Sequence, residues 1–239
     1  MNARSQSVLT PFEGMGTVSK LSLPDQVYAS LREELMSGRF APGQRVPLRA
    51  IATAMGTSTM PVREAVNRLV ATGALELLPN RRVSVPTLSE DRYRDLTKAK
   101  VLIESAAAEA SVPFLTNEIL ERLRSLHVQM CEVASLPHNV ANVQEYLKLN
   151  KDFHFTIYSI SDSSALMNVI ESLWLQVGPY FNLLHSETTG WRGNDRHKEI
   201  LRALVARDPL WVRVSVRADL KGAADYILDN GLLSQQLVG

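Results

Sequence analysis

From Pro24 onward the apolar residues recur at helical spacing. Val27, Leu31 and Leu35 fall at i, i+4 and i+8, which predicts a helix over 25–37 that Gly38 stops. Pro42-Gly43 predicts a turn. A short helix over 47–55 follows, with Pro47 tolerated in its first turn and Gly56 at its end. The next stretch, TSTMPVREAVNRL at 57–69, reads as a capped helix. Ser58 or Thr59 can cap it, Pro61 suits its first turn, and Val62, Ala65, Val66, Leu69 and Val70 make one apolar stripe ended by Gly73. ALELL and VSV then flank the loop PNRR, predicting a β-hairpin closed by Pro86. Residues 1–20 are polar and without period, and are read as a flexible arm.

Residues 89–232 lack a strand pattern. They divide into six helical stretches, at 89–112, 116–135, 139–160, 164–186, 194–206 and 209–230. Pro113, Pro137, Gly190 and Pro209 punctuate them, and Pro179 is placed to kink or split the fourth. Ser89 followed by Glu90 and Asp91 is a helix start. The pattern predicts a mainly α protein: an arm at 1–20, a winged helix-turn-helix at 21–86, and an all-α antiparallel helical bundle at 87–239.

Charge adds a direction to this outline. The net charge of +1 hides an asymmetry. Residues 1–86 hold 10 Lys and Arg against 6 Asp and Glu, and the remainder holds 16 against 19. A basic first third points to a polyanion as its partner. A hydrophobic content of 45% supports a packed core, and no apolar run approaches the roughly 18 residues of a spanning helix. The N-terminus has no apolar signal region. The single cysteine, Cys131, is expected as a small buried hydrophobe and permits no internal disulfide. A cytoplasmic location, away from membranes, is the simplest expectation.

With the inward stripe of the 58–72 helix accounted for, its outward side carries Thr59, Met60, Arg63 and Asn67. Arg63 and Asn67 are four apart and share a face. Arginine can bind guanine O6 and N7 with two hydrogen bonds, and asparagine can do the same for adenine. Arg81 and Arg82 at the hairpin tip stand where a wing meets the DNA backbone or minor groove. Taken alone, Arg63 is also compatible with a solvated surface residue. Glu64 and Arg68 are read as an ordinary i,i+4 pair.

The bundle carries polar residues on apolar stripes. Val143, Leu147, Asn150, His154 and Ile157 line one helix face; His197, Ile200, Leu201, Leu204 and Val205 line another; Val212, Val216, Asp219, Ala223 and Tyr226 line a third. Buried polar groups are costly unless paired. Two histidines, an aspartate and an asparagine oxygen suit a borderline divalent metal with open positions. An isolated histidine on such a stripe is more often a satisfied core residue, so both readings stand at this point. Trp174, Trp191, Trp211, Tyr180 and Phe181 fit core or interface, and Trp191 after Gly190 is placed to close a pocket.

The run from Leu35 to Val85 resembles the DNA-binding domain of GntR-family bacterial transcription regulators. Their pattern G-x-x-x-P-G-x-x-L, a Leu-Ala pair, G-V-S-R-x-P-V-R-E-A-L and E-G-L appears as Gly38, Pro42-Gly43 and Val46, Ile51-Ala52, Gly56, Ser58, Pro61 through Val66, and Gly73. The resemblance implies that Arg49, Ser58, Thr59 and Arg63 contact DNA. Thr59 stands where that family usually has Arg, and Arg82 where its wing often has Gly. Residues 89–230 resemble the FadR-type effector domain, FCD, through Lys100 with Glu104, Asn150 with Phe153-His154, and His197 with Ile200 and Ala203-Leu204. In that family one Asp or Asn and three His hold a divalent metal that helps bind a small carboxylate effector. The implied metal set is Asn150, His154, His197 and Asp219, with zinc, nickel or manganese as candidates. Asp219 replaces a His, and Lys100 replaces an Arg that faces the effector. A surface salt bridge is the plainer reading of Lys100.

The expected function is a homodimeric, ligand-responsive regulator of transcription, a repressor on a near-palindromic operator in double-stranded DNA. The alternative is a metal-dependent hydrolase using His154, His197 and Asp219. No H-E-x-x-H, G-x-S-x-G or phosphate loop accompanies those residues.

Overall fold

The computed structural model describes residues 22–79, 82–185, 191 and 193–234; the expected arm at 1–20 and Arg81 lie outside them. The first unit is built on α1 (Leu23–Met36), α2 (Leu48–Ala54) and α3 (Thr59–Ala71). Ser22 caps α1 by accepting from the Asp25 amide, and Val27, Leu31, Leu35 and Met36 turn inward. Pro61, Val62, Ala65, Val66 and Leu69 form the buried side of α3, as the stripe in the sequence requires. Strand β1 (Glu76–Leu78) pairs antiparallel with β2 (Arg82–Ser84), with Leu77 opposite Val83. Arg45 adds an isolated antiparallel bridge to Ser84, tying the loop before α2 to the wing.

The second unit runs α4 (Glu90–Ser111), α5 (Asn117–Ser135), α6 (Val140–Tyr158), α7 (Ser164–Val177), α8 (Gly193–Val205) and α9 (Pro209–Asp229). α4 packs on α9 and α7, and α8 bridges α5 and α9. Ser89, Thr116, Asn139, Ser163 and Asp208 cap their helices through side-chain oxygens. The expected helix over 164–186 is divided. Pro179 cannot donate into an α-helical ladder, and from Gly178 to His185 the chain winds as a 3-10 helix.

That 3-10 segment is also the seat of the winged unit. A Cβ on Gly178 would lie 2.9 Å from the Met36 carbonyl oxygen and 3.0 Å from that of Leu35, so α1 ends directly on this backbone. Arg32 pairs with Glu171 at 2.7 Å, and buried Lys151 pairs with Glu33, both across the junction. Gly178→Ala is therefore expected to force backbone apart and to lower stability by about 1–3 kcal/mol, read as a lower denaturation midpoint.

Three expectations are corrected. Arg68 does not pair with Glu64; it reaches Asp25 at 2.7 Å and stacks 3.9 Å above the Tyr28 ring, because α1 lies beside α3. Cys131 is exposed, on the outer side of α5. Val205, at the C-terminal end of α8, is also exposed, at 49%.

Candidate functional sites in the winged helix and the bundle

The winged unit presents its free cations on one set of elements. Arg49 on α2, Arg63 and Asn67 on α3, and Arg82 on β2 are exposed, as are Thr59 and Met60. Arg45, Arg49, Arg63 and Arg82 have no carboxylate partner among the described residues. Ser58 is the N-cap of α3, yet its side chain makes no cap hydrogen bond, which leaves its hydroxyl available at a helix N-terminus. Arg68, by contrast, is committed to α1. Arg45 is a cation the sequence reading missed; its only signal was its place after Pro42-Gly43.

In the bundle, three helices converge on one centre. His154 from α6, His197 from α8 and Asp219 from α9 are 2%, 2% and 5% exposed, and their ligand atoms all lie within 4.8 Å of one another. His154 Nε2 is 3.3 Å from Asp219 Oδ2, and His197 Nε2 is 3.8 Å from Asp219 Oδ1. Burial pushes the His197 imidazole down to about 4, so its ring is neutral at ordinary pH. Burial also works to raise the Asp219 carboxyl, but the two imidazoles and Lys100 outweigh it and leave it below its usual value. His197 Nδ1 is buried and has no hydrogen-bond partner among the described residues. Two buried imidazoles around a carboxylate, with an orphaned nitrogen, fit a divalent cation. Asn150 lies one helical turn before His154 and lines the same cavity.

That cavity is small, about 30 Å³, enough for an ion or a water. It adjoins a second one of about 390 Å³, the size of a small-molecule site, lined by Pro137, His138, Asn142, Asn194 and Asp195. Tyr146, His185, Trp191 and Gly193 border both. Gly193 is required there, since a Cβ would lie 2.9 Å from Trp191 Nε1 and 3.1 Å from the Tyr146 oxygen. Trp191 thus stands at the mouth, where its place after Gly190 had put it. Tyr146, which donates to Asn194 Oδ1 at 2.8 Å, and His185 were not read from the sequence.

Lys100 does not line either cavity. It is buried on α4, its ammonium straddling both Glu104 oxygens at 2.6 and 2.7 Å and lying 4.0 Å from the Trp174 ring centre. Neither the effector contact implied by resemblance nor a surface salt bridge describes it.

One wall of the inner cavity leads to the winged unit. Phe181, Leu184 and His185 of the 3-10 segment line it. From the same segment, Tyr180 donates to the Pro86 carbonyl at 2.9 Å and accepts from the Leu88 amide at 2.6 Å. Asn182 donates to the Gly38 and Phe40 carbonyls. The sequence pattern covers this segment only as the end of the 164–186 helix and does not show that it serves two different neighbours.

Comparison with known families agrees with this layout. The family model for bacterial regulatory proteins, gntR family, matches residues 23–85, and that for the FCD domain matches 95–222. The HTH-type transcriptional regulator McbR of Escherichia coli is 29% identical over 172 residues, covering 72% of this chain and 76% of McbR. The regulator YdhC of Bacillus subtilis is 26% identical over 178 residues, covering 74% and 75%. The solved structure of E. coli McbR/YncC superposes with a TM-score of 0.77 at 25% identity, covering 91% of this chain and all (100%) of that one. A GntR transcriptional regulator from Rhodococcus sp. RHA1 shares the fold, with a TM-score of 0.70 at 22% identity over 87% and 99% of the two chains. These relatives are DNA-binding regulators and not enzymes, which leaves the hydrolase alternative without support. Among the described residues no helix is long and apolar enough to cross a membrane.

Proposed function

The chain belongs to the GntR family of bacterial transcription regulators and carries an FCD domain, and on that footing we propose that a small organic acid bound in the bundle sets its grip on operator DNA. The observation that carries this reading is the convergence of His154, His197 and Asp219 on a cavity that is also lined by the 3-10 segment holding the winged unit. A divalent ion such as zinc, nickel or manganese would be held by these three with Asn150 beside them, and when bound it supplies positive charge for a carboxylate. The described lining of both cavities holds no Lys or Arg, so an acid depends on that ion for its counter-charge. Two chains, paired as a dimer, present two α3 helices to successive major-groove faces about 34–36 Å apart. Arg49, Ser58, Thr59, Met60, Arg63, Asn67 and the wing arginines Arg81 and Arg82 meet the DNA. Acid binding weakens that contact, which makes the protein a repressor relieved by its ligand.

The 3-10 segment supplies the route. An acid seated against Phe181, Leu184 and His185 displaces a stretch whose Tyr180 and Asn182 hold the winged unit. Affinity for DNA then changes by the acid's preference between the two placements.

The test uses the full chain and a duplex that it selects from a random library. With zinc present, a panel of metal-chelating carboxylates is titrated into the complex. A member of the panel is expected to weaken binding by about 10-fold or more, with no effect on chelator-treated protein. An affinity untouched by every acid, on metal-loaded protein, overturns the reading. Combining Tyr180→Phe with Asn182→Ala is expected to leave acid binding within about threefold and to abolish most of the DNA response, by calorimetry and duplex titration in parallel.

A further inference from the structure

A further cavity of about 500 Å³ lies on the outer face of the bundle, between α4 and α9, and shares no lining residue with the two beside His154. Its walls repeat at helical spacing. Arg94, Lys98 and Leu102 line it from α4 at i, i+4 and i+8, and Arg213, Arg217, Lys221 and Asp225 line it from α9 at the same interval. Arg213, near the start of α9, reaches Glu109, near the end of α4, at 2.8 Å. The two helices therefore run antiparallel, and the groove carries cations on both walls.

Five cations and one carboxylate line this groove. Three of the cations have an acid nearby: Arg213 pairs with Glu109, Lys221 pairs with Asp225, and Arg94 has Glu90 at 3.8 Å. Lys98 and Arg217, on opposite walls, are exposed and have no carboxylate partner among the described residues. Like charges four residues apart on a helix repel and weaken it. The run Arg213, Arg217 and Lys221 is thus held against its own repulsion, which an anion between the walls would relieve. The floor between the cations is apolar. Val101 and Leu102 come from α4, and Ala224 and Leu228 from α9; Leu102 is 61% exposed.

These features select an occupant. An inorganic anion would use the cations and leave the apolar floor in water. A second copy seated face to face would set like charges against like, which costs affinity. An acid with its charged head between Lys98 and Arg217 and its hydrocarbon or aromatic body over Leu102 uses both parts of the groove. We infer that the groove between α4 and α9 is a second ligand site, for an amphipathic monocarboxylate, independent of the cavity at His154. The guanidinium of Arg217 can take a carboxylate through two parallel hydrogen bonds, and Lys98 adds a point charge from the other wall. The volume falls in the range of sites that enclose a small organic molecule, roughly 300–1,000 Å³.

The test uses the full chain, treated with chelator so that a metal-dependent acid site is silent, and 2-naphthoate as the probe in calorimetry. Naphthoate is expected to bind a single site per chain, more weakly as salt rises. It should bind about 10-fold or more tighter than 2-naphthalenemethanol, which has the body without the charge, and than acetate, which has the charge without the body. Combining Lys98→Gln with Arg217→Gln is expected to weaken naphthoate by about 10-fold or more while leaving the circular dichroism unchanged, since both side chains are exposed. Arg124→Gln, which removes an exposed cation from α5, is expected to leave binding unchanged. The inference is overturned by naphthoate that fails to bind, that binds the double variant as tightly as wild type, or that binds no better than its alcohol. It is also overturned if wild type takes up no naphthoate and Leu102→Asp converts a dimer to a monomer in sedimentation, because the groove then belongs to a second copy.

Discussion

Arg63→Ala is expected to remove operator selectivity while leaving the protein folded. The side chain is exposed on the face of α3 opposite Val62, Ala65, Val66 and Leu69, and it has no ion-pair partner to lose. Deleting it costs the fold nothing beyond an exposed surface change, well under about 1 kcal/mol. A bidentate contact to a guanine is worth about 1–3 kcal/mol of discrimination, and one is lost in each half-site of the proposed dimer. Selected duplex and scrambled duplex should therefore bind the variant within about threefold of each other, with the denaturation midpoint unchanged. Arg68→Ala is the matched control: equally exposed in the sequence pattern, it is spent on Asp25 and Tyr28, so it should alter stability slightly and selectivity little. Undiminished selectivity in Arg63→Ala would take the assignment of α3 as the reading helix with it.

His154→Ala is expected to empty the bundle site. Elemental analysis of protein purified without chelator should give close to one divalent ion per chain in the wild type and none in the variant. The loss should be complete because the remaining donors, His197 and Asp219, are then too few to hold an ion against water. The acid response should vanish with it, since no Lys or Arg among the described cavity residues can replace the ion's charge. DNA affinity without acid should stay within about threefold of wild type, because the winged unit is gripped by the 3-10 segment and by Lys151, not through the His154 ring. A wild type free of metal after exposure to zinc, nickel and manganese would mean that Asp219, in place of the family's histidine, has ended this chemistry.

Which parts of this were legible in the chain follows from the range of the interactions. The α3 stripe from Val62 to Val70 and the hairpin around PNRR are local periodicities, and they appear where the pattern put them. His154, His197 and Asp219 were visible because each breaks an apolar stripe, and a buried polar residue leaves that mark whatever it faces. What the stripes could not say is what each group meets. Lys100 was read by its family position, yet its partner is Glu104 on its own helix and its setting is the Trp174 ring from α7. Arg68 was given its nearest i,i+4 acid and took Asp25 from α1 instead. The segment from Gly178 to His185 was covered by the helix read over 164–186; Pro179 makes it a 3-10 helix whose Tyr180 and Asn182 hold the winged unit while Phe181, Leu184 and His185 line the cavity.

The contacts from that segment land almost entirely on main chain. Tyr180 and Asn182 bind the carbonyls of Pro86, Gly38 and Phe40 and the amide of Leu88, and Gly178 abuts the carbonyls that end α1. Every winged helix of this outline offers those same atoms, whatever its surface residues. The reading head is thus interchangeable in principle: a foreign winged helix that keeps the turn after α1, the exit after the wing and the pairs made by Arg32 and Glu33 would inherit the ligand response of this bundle. Diversification of operator specificity in such a protein is free to proceed on α3 and the wing without disturbing what the effector pulls on.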